Sequence, residues 1–411
     1  MYEHHERPLK VAFITTLAPD RGNLAEYGGH LVRGLAASHE VQQIHVLANQ
    51  VDNARAIEQL NDKIVVHRVW KINSTWSLLR LLWVVHKVHP DIVHINAGIR
   101  TWGASKLPCF VGAALCHLLH LVCPFTVVTL HTIGDTVRLD QMGTDIGFFT
   151  KLGIHFATHL YLAADLVTVT LASMQKTLQE KFAARNVVHV PHGTYGVRIH
   201  KPVQSEAQSA AQKNPRILAF GFWGAFKDGG MLVKAVQALR ERGVTAELVL
   251  GGGPHPYFPN LYYDLVNKYR DHPYIHFTGY VPEEEIHTVF EQAAVVVLPY
   301  KTNAGASGVL NLCRSYGRPV IVSKEDGLVE QLRYEGGSGL VFSSEEGLIE
   351  ALALLLKNPD LQQKMGEANL AVAKKMTIET QALKIVQFYR LIGRKRKKPL
   401  PMPKPASHIV E

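Results

Sequence analysis

Ser307-Gly308-Val309 opens the helix with the clearest capacity for chemistry in this chain. The triplet lies within LPYKTNAGASGVLNLCRSYGRPVIVS, Leu298 to Ser323, which follows a strand-like run, Ala293 to Leu298, and ends in another, Val320 to Ser323. Strand, small-residue turn, helix and strand form a βαβ unit. Such a unit points backbone N–H groups out of a helix N-terminus, where an anion can sit. Ser307 is the expected N-cap, its hydroxyl accepting from the first unpaired N–H groups. Taken alone, the pattern fits a ligand-free structural crossover better than a ligand site. A second helix start is expected at Gly22-Asn23, after the strand Lys10 to Thr15, with Asn23 as cap and Leu24, Tyr27, Gly28, Leu31 and Leu35 along one face. The alternative takes Gly28-Gly29 as the loop and starts that helix at His30. His131 stands where the strand Phe125 to Leu130 ends, a position from which a ring can reach a cleft.

Other chemistries lack their residues. The sequence shows no Walker-type phosphate loop, no dinucleotide fingerprint with its ribose-binding acid and no His-Glu-x-x-His helix. The 22 histidines are scattered, and His117 and His120 fall on an apolar helix, so core or surface roles are expected and no metal site. Cys109, Cys116, Cys123 and Cys313 lack zinc-type spacing and read as buried free thiols of a reducing compartment. The net charge of +9 is partly concentrated in Arg394 to Lys398, ahead of alternating prolines. That tail fits a solvated end and also a contact for an anionic membrane surface. It has no aromatics for base stacking, which argues against nucleic acid. The opening MYEHHER has no basic-then-apolar leader, and a cytoplasmic location, at the inner membrane face if the tail binds lipid, is expected. The apolar run Leu107 to Leu130, broken by His117, His120 and Pro124, reads as a buried helix and a strand.

The elements that must position these residues alternate between strand and helix. Strands are expected at Val41 to Ala48, Ile64 to Val69, Asp91 to Asn96, Leu166 to Thr170 and Val187 to Val190, with a Leu/Trp-rich helix at Ser77 to Val88. Pro191-His192-Gly193 closes the first half, and SEAQSAAQKN, Ser205 to Asn214, reads as a linker. The pattern then restarts with strands at Ile217 to Phe220, Leu248 to Leu250 and Ile275 to Phe277. The expected class is α/β: two doubly wound Rossmann-like domains facing a cleft, with parallel sheets and ligands at the carboxyl ends of strands. The boundaries are 1–200, 201–377, a helix over 378–393 that follows the second domain, and a basic tail over 394–411.

In this order and spacing the motifs resemble a family 4 (group 1) glycosyltransferase of the GT-B fold, over about residues 10 to 390. The matches are Gly22 before the first helix, His131 in VVTLHTIGD, Pro191-His192-Gly193, Lys227 after Gly221, Gly251 to Pro254 with Gly252 at the turn, Gly279-Tyr280-Val281-Pro282, the Leu298 to Ser323 stretch, Gly327 to Glu330, and Gly339-Leu340-Val341. Two departures stand out. The family's two glutamates, with seven residues between them, fall on Asn303 and Asn311 counting from Pro299, or on Ala304 and Leu312 counting back from Gly317. The usual arginine after the phosphate-site glycine is replaced by Phe222. The chain is similar to a subgroup that lacks the glutamate pair.

The resemblance implies transfer of a hexose from a nucleoside-diphosphate sugar to a glycan, glycolipid or small-molecule acceptor, with retention of configuration and no metal or cofactor. Negative charge building on the leaving diphosphate would meet Lys227, the N–H groups of Gly308 and Val309, the Ser307 hydroxyl and the helix start at Gly22-Asn23. His131 would sit by the donor sugar. Gly221, Gly252, Tyr280 and Val281 would complete the donor site, with Asn303 and Asn311 standing in for the glutamates. The competing readings are a nucleotide-sugar 2-epimerase, which needs acid–base groups that the sequence does not single out, and an inactive partner protein, which would be expected to have lost Lys227 and His131.

Overall fold

The computed structural model describes residues 7–98, 100–134, 147–198, 214–256, 258–303 and 305–395. Asp135, the linker from 205 to 213, Ala304 and the tail from 396 onward lie outside the described residues.

The first domain runs β1 (Leu9–Thr15), α1 (Asn23–Ala37), β2 (Val41–Asn49), β3 (Ile57–Asn61), β4 (Ile64–Trp70), α2 (Thr75–Val88), β5 (Ile92–Ala97), α3 (Lys106–Leu119), β6 (Phe125–Leu130), α4 (Phe148–Tyr161), β7 (Leu166–Val169), α5 (Ala172–Phe182) and β8 (Val187–His189). Its sheet has the order β3-β4-β2-β1-β5-β6-β7-β8. Pairing is parallel except at the edge, where β3 lies antiparallel to β4. The strands are near-continuous apolar runs because both faces are covered. One face packs on α2, α3 and α5 through Leu78, Leu81, Leu115, Leu119 and Leu178. The other packs on α1 through Leu31 and Leu35. A Cβ on Gly28 would lie 2.5 Å from Thr15 Oγ1, so glycine lets α1 press against β1. Gly28-Gly29 therefore sits inside the helix, and the His30 start is excluded. The cap also differs from expectation: Gly22 is the N-cap, without a side-chain bond, and Asn23 is the first helical residue. Asp20 Oδ1 receives the Gly22 N–H at 2.9 Å and holds the turn.

The second domain runs β9 (Arg216–Ala219), α6 (Gly229–Glu241), β10 (Glu247–Gly251), α7 (Pro259–Tyr269), β11 (Ile275–Gly279), α8 (Ile286–Glu291), β12 (Ala293–Leu298), α9 (Gly308–Ser315), β13 (Val320–Ser323), α10 (Asp326–Arg333), β14 (Leu340–Phe342), α11 (Glu345–Leu356) and α12 (Pro359–Lys375). Its sheet is parallel, in the order β11-β10-β9-β12-β13-β14. In each sheet the first strand is flanked by strands reached in opposite directions. The loops leaving β9 and β12 diverge at this switch point and leave a crevice between them. None of the four cysteines is in a disulfide; Cys116, Cys123 and Cys313 are buried, and burial pushes the Cys116 thiol up to about 12.

The chain's last helix, α13 (Ile378–Lys395), does not stay with the second domain. Ala382, Ile385, Val386 and Tyr389 join the α1 face of the first. Tyr389 and His94 meet through the hydroxyl and Nδ1 at 2.5 Å, inside that core. The two crossings between domains run side by side: Thr194 N donates to Met376 O at 2.6 Å and Ile378 N donates to Thr194 O at 2.9 Å. Among the described residues, no helix is long and apolar enough to cross a membrane.

Candidate active site

Lys227 anchors the second-domain side of the cleft. The loop after β9 turns at Gly221, and Nζ reaches back to donate to Phe220 O at 2.6 Å. The rings of Trp223, Tyr300 and Phe226 surround the ammonium at 5.4, 5.5 and 5.8 Å from their centroids. The side chain is 7% exposed. Asp228 next to it is engaged elsewhere, capping α6 through Met231 N at 2.9 Å and pairing with Lys301 at 3.5 Å. Burial without a neutralising carboxylate pulls the Lys227 ammonium down to about 7. Such a cation is poised for an incoming anion.

Two glycines shape the turn around it. Gly221 has φ +101°, and a Cβ there would lie 2.8 Å from Lys227 Nζ and 3.3 Å from Val309 Cγ2. Gly252 has φ +98°, and its Cβ would collide with the Gly221 carbonyl. Both positions therefore require glycine, and they bring Gly221, Lys227 and the first turn of α9 together.

That first turn is held as the sequence predicts. Ser307 is the N-cap, and its Oγ accepts from Leu310 N at 3.4 Å. Gln331, a residue the sequence reading missed, clamps the same turn: its Oε1 accepts from Ser307 N at 2.7 Å and its Nε2 donates to Ser307 O at 2.9 Å. A Cβ on Gly308 would face the Tyr195 hydroxyl at 3.5 Å and His192 Cε1 at 4.0 Å. The end of α9 thus meets the irregular segment that joins the two domains.

The first-domain side is an aromatic and imidazole cluster. His131 Nε2 lies 2.6 Å from Asn96 Oδ1. Asn96 Nδ2 donates to Thr15 Oγ1 at 3.0 Å, so Oδ1 is the acceptor and the proton sits on His131 Nε2. His131 Nδ1 is then an acceptor. Burial, with His192 and His94 nearby, lowers His131 to about 3, so the ring is neutral. Tyr27 packs edge-on against His131 at 4.6 Å and beside His192 at 4.5 Å. A Cβ on Gly305 would collide with the His131 carbonyl, so the loop before α9 abuts the first domain here.

At the rim, Arg21, next to Gly22, lies over the Tyr280 ring at 4.5 Å. His30 Nε2 meets Glu283 Oε1 at 3.0 Å, with Arg198 at 3.5 Å. The His30 bond holds the Glu283 carboxyl down to about 2. Glu26, accessible from the cleft, is raised to about 7 by the surrounding protein and by Glu283.

Two sequence expectations need correction or restriction. Asn311 does not face the cleft as a ribose ligand. It is 2% exposed, and its Nδ2 donates to Gly193 O at 2.6 Å and His192 Nδ1 at 2.9 Å. Its Oδ1 accepts from Gln331 Nε2 at 3.3 Å and Arg314 Nη1 at 3.4 Å. An amide so engaged has no capacity left for a hydroxyl. The alternative, Leu312, is buried in the core, so neither count yields a ribose ligand. Asn303 Nδ2 is buried without a partner among the described residues, 3.7 Å from where a Gly327 Cβ would lie. Val281 packs against the α9 core, a supporting position. No group of three or more His, Cys, Asp or Glu side chains among the described residues could hold a metal ion.

Residues 214–358 match the family model described as glycosyl transferases group 1. Sucrose-phosphate synthase from Thermosynechococcus elongatus is similar in structure, with TM-score 0.74, 18% identity, and coverage of 94% of this chain and 100% of that one. Anabaena HepE in complex with UDP has TM-score 0.66 and 15% identity, covering 93% and 100%. The catalytic domain of Arabidopsis thaliana starch synthase IV, bound to ADP and acarbose, has TM-score 0.62 and 13% identity, covering 95% and 100%. At these identities the likeness establishes the GT-B fold. No curated protein sequence is significantly similar to the chain.

Proposed function

We propose that this GT-B glycosyltransferase, with its group 1 second domain, moves a hexose from a nucleoside-diphosphate sugar to a glycan, glycolipid or small-molecule acceptor, with retention of anomeric configuration and without a metal. The observation that carries this reading is Lys227, buried, unneutralised and beside both Gly221 and the first turn of α9. A leaving diphosphate gains negative charge as the anomeric bond loosens. A fixed ammonium and the open N–H groups of Gly308 and Val309 stabilise that charge without reorganising. The nucleoside diphosphates bound to HepE and to the starch synthase support the same ligand class.

Residues of the first domain hold the sugar. His131 Nδ1 accepts from a sugar hydroxyl, and its neutral ring adds no positive charge beside the anomeric carbon. Asn303 supplies an unpartnered amide that can donate to the donor. Gly252 and Tyr280 shape the nucleoside side. Glu26 is an acid–base candidate on the acceptor side, because a carboxyl near 7 exchanges its proton at neutral pH. The enzyme works in the cytoplasm.

The test is incubation with a panel of nucleoside-diphosphate hexoses in the presence of chelator, following release of the nucleoside diphosphate and the anomeric configuration of the product. Release with one donor and a retained configuration is expected. No release from any donor, or release only after magnesium or manganese is restored, would contradict the reading.

A further inference from the structure

The helices α2, α3 and α4 lie side by side on the first domain, and their outer surface is unlike the rest of the protein. Their inner faces fill the core, yet Trp76 (82% exposed) and Trp83 (58%) on α2, Leu107 (63%) and Phe110 on α3, and Leu152 and Phe156 on α4 all reach solvent. The spacing is helical: 76, 79 and 83 on α2 and 107 and 110 on α3 each share one stripe. Phe110 stacks on Phe156 at 5.7 Å and 11°, so the stripes of α3 and α4 join at the surface. Lys106 Nζ donates to Thr150 Oγ1 at 2.9 Å across the same seam.

Charge distinguishes this surface further. The sequences TWSLLRLLWVVHKV, KLPCFVGAALCHLL and FFTKLGIHFATHLY contain no Asp or Glu. They do carry Arg80, Lys87, Lys106 and Lys151. Lys87 Nζ sits over the Trp83 ring at 4.0 Å, which places a cation beside an exposed indole. A soluble monomer rarely exposes so many contiguous large apolar groups without a partner.

We propose that this face docks on an anionic lipid surface, inserting Trp76, Trp83 and Leu107 at the level of the headgroups. Indoles favour that interface, and Lys and Arg favour anionic headgroups. A second copy of the chain is a poorer occupant. A two-fold contact would set the Arg and Lys of these helices against themselves, with no Asp or Glu on the helices to offset them. The α3 end bearing Lys106 and Leu107 starts at the carboxyl edge of the sheet, the edge that faces the cleft. A lipid-held acceptor could reach His131 from there, a corollary that rests on the transferase reading. The docking itself rests only on the composition of the surface.

The test is flotation of the full chain with vesicles of phosphatidylcholine plus phosphatidylglycerol, against phosphatidylcholine alone. Trp76→Ser/Trp83→Ser and Leu107→Glu are compared with a chain ending at Gly393, which lacks the basic tail. Trp76, Trp83 and Leu107 are exposed, and far-UV circular dichroism checks the fold of every variant. The proposal expects binding to the anionic vesicles only, loss of about tenfold or more with the Trp pair and with Leu107→Glu, and a smaller loss without the tail. Nucleotide binding by these variants should be unchanged, which separates this result from the fate of the donor site. Wild-type binding by both face variants would overturn the proposal. So would a lipid-free dimer, seen by sedimentation velocity, that Leu107→Glu dissociates.

Discussion

Asn311 Nδ2 stands 2.6 Å from the Gly193 carbonyl oxygen, so the helix that opens at the ligand crevice is bonded to the irregular segment that joins the two domains. The same amide nitrogen lies 2.9 Å from His192 Nδ1, which is itself 3.1 Å from Gly193 O, so the three groups form one buried cluster. A position that the family pattern would give to ribose binding is used here to tie α9 to the segment between the domains.

Asn311→Ala should therefore act on stability. It leaves Gly193 O and His192 Nδ1 buried without this donor, at a cost of about 1–3 kcal/mol. Thermal unfolding should show a lower midpoint. An unchanged midpoint with lost donor affinity would return Asn311 to the ribose.

The mapping onto Asn311 illustrates what the sequence could carry. The βαβ unit, the Ser307 cap and the glycine turn at Gly221 are local, and each was readable from residue types in order. Which face of an eight-residue helix meets the other domain depends on a contact 118 residues away in the chain. The amphipathic pattern of α13 likewise says that one face is buried, but not that it crosses back to α1. Strand β3 is polar and mostly exposed, so it offered no alternation to read. Gln331 owes its role to the Ser307 turn across the loop, and no motif marks it; Tyr27 was legible only as a helix-face residue and His192 only as part of a motif, because their packing against His131 and Asn311 depends on distant segments. His131 was legible because it ends a strand.

The depressed Lys227 predicts a pH effect on binding. In the free protein the ammonium titrates near 7, and a bound diphosphate raises that value. Binding therefore takes up a proton. Affinity for a nucleoside-diphosphate sugar should be full below about pH 7 and fall as pH rises through the free-state value towards the bound one. Calorimetry in buffers of different ionisation enthalpy should detect the uptake at pH 8. A flat affinity from pH 6 to 9 would contradict a buried, unneutralised lysine at the diphosphate.

Glu26 predicts the opposite kind of stability profile from an ordinary salt-bridged acid. Its folded carboxyl is raised from the ordinary carboxylate range to about 7, by burial first and by Glu283 second. The protonated form suits the fold, so this contribution is full below the unfolded value and is lost as pH rises through 7. Glu26→Gln should gain stability relative to the natural chain between pH 5 and pH 8. Chemical denaturation at the two pH values measures it. An equal difference at both would mean that Glu26 is not raised.

In the proposed reaction Lys227 meets the diphosphate, and titration with the donor reads that contact. Isothermal titration of the natural chain and of Lys227→Ala with the donor found in the panel, both checked for an intact fold, compares their affinity; turnover of the same pair is then read alongside. The account predicts saturable binding by the natural chain, a marked loss in Lys227→Ala, and turnover lowered by about 10²-fold or more. Equal affinity and equal turnover in a correctly folded Lys227→Ala would contradict it.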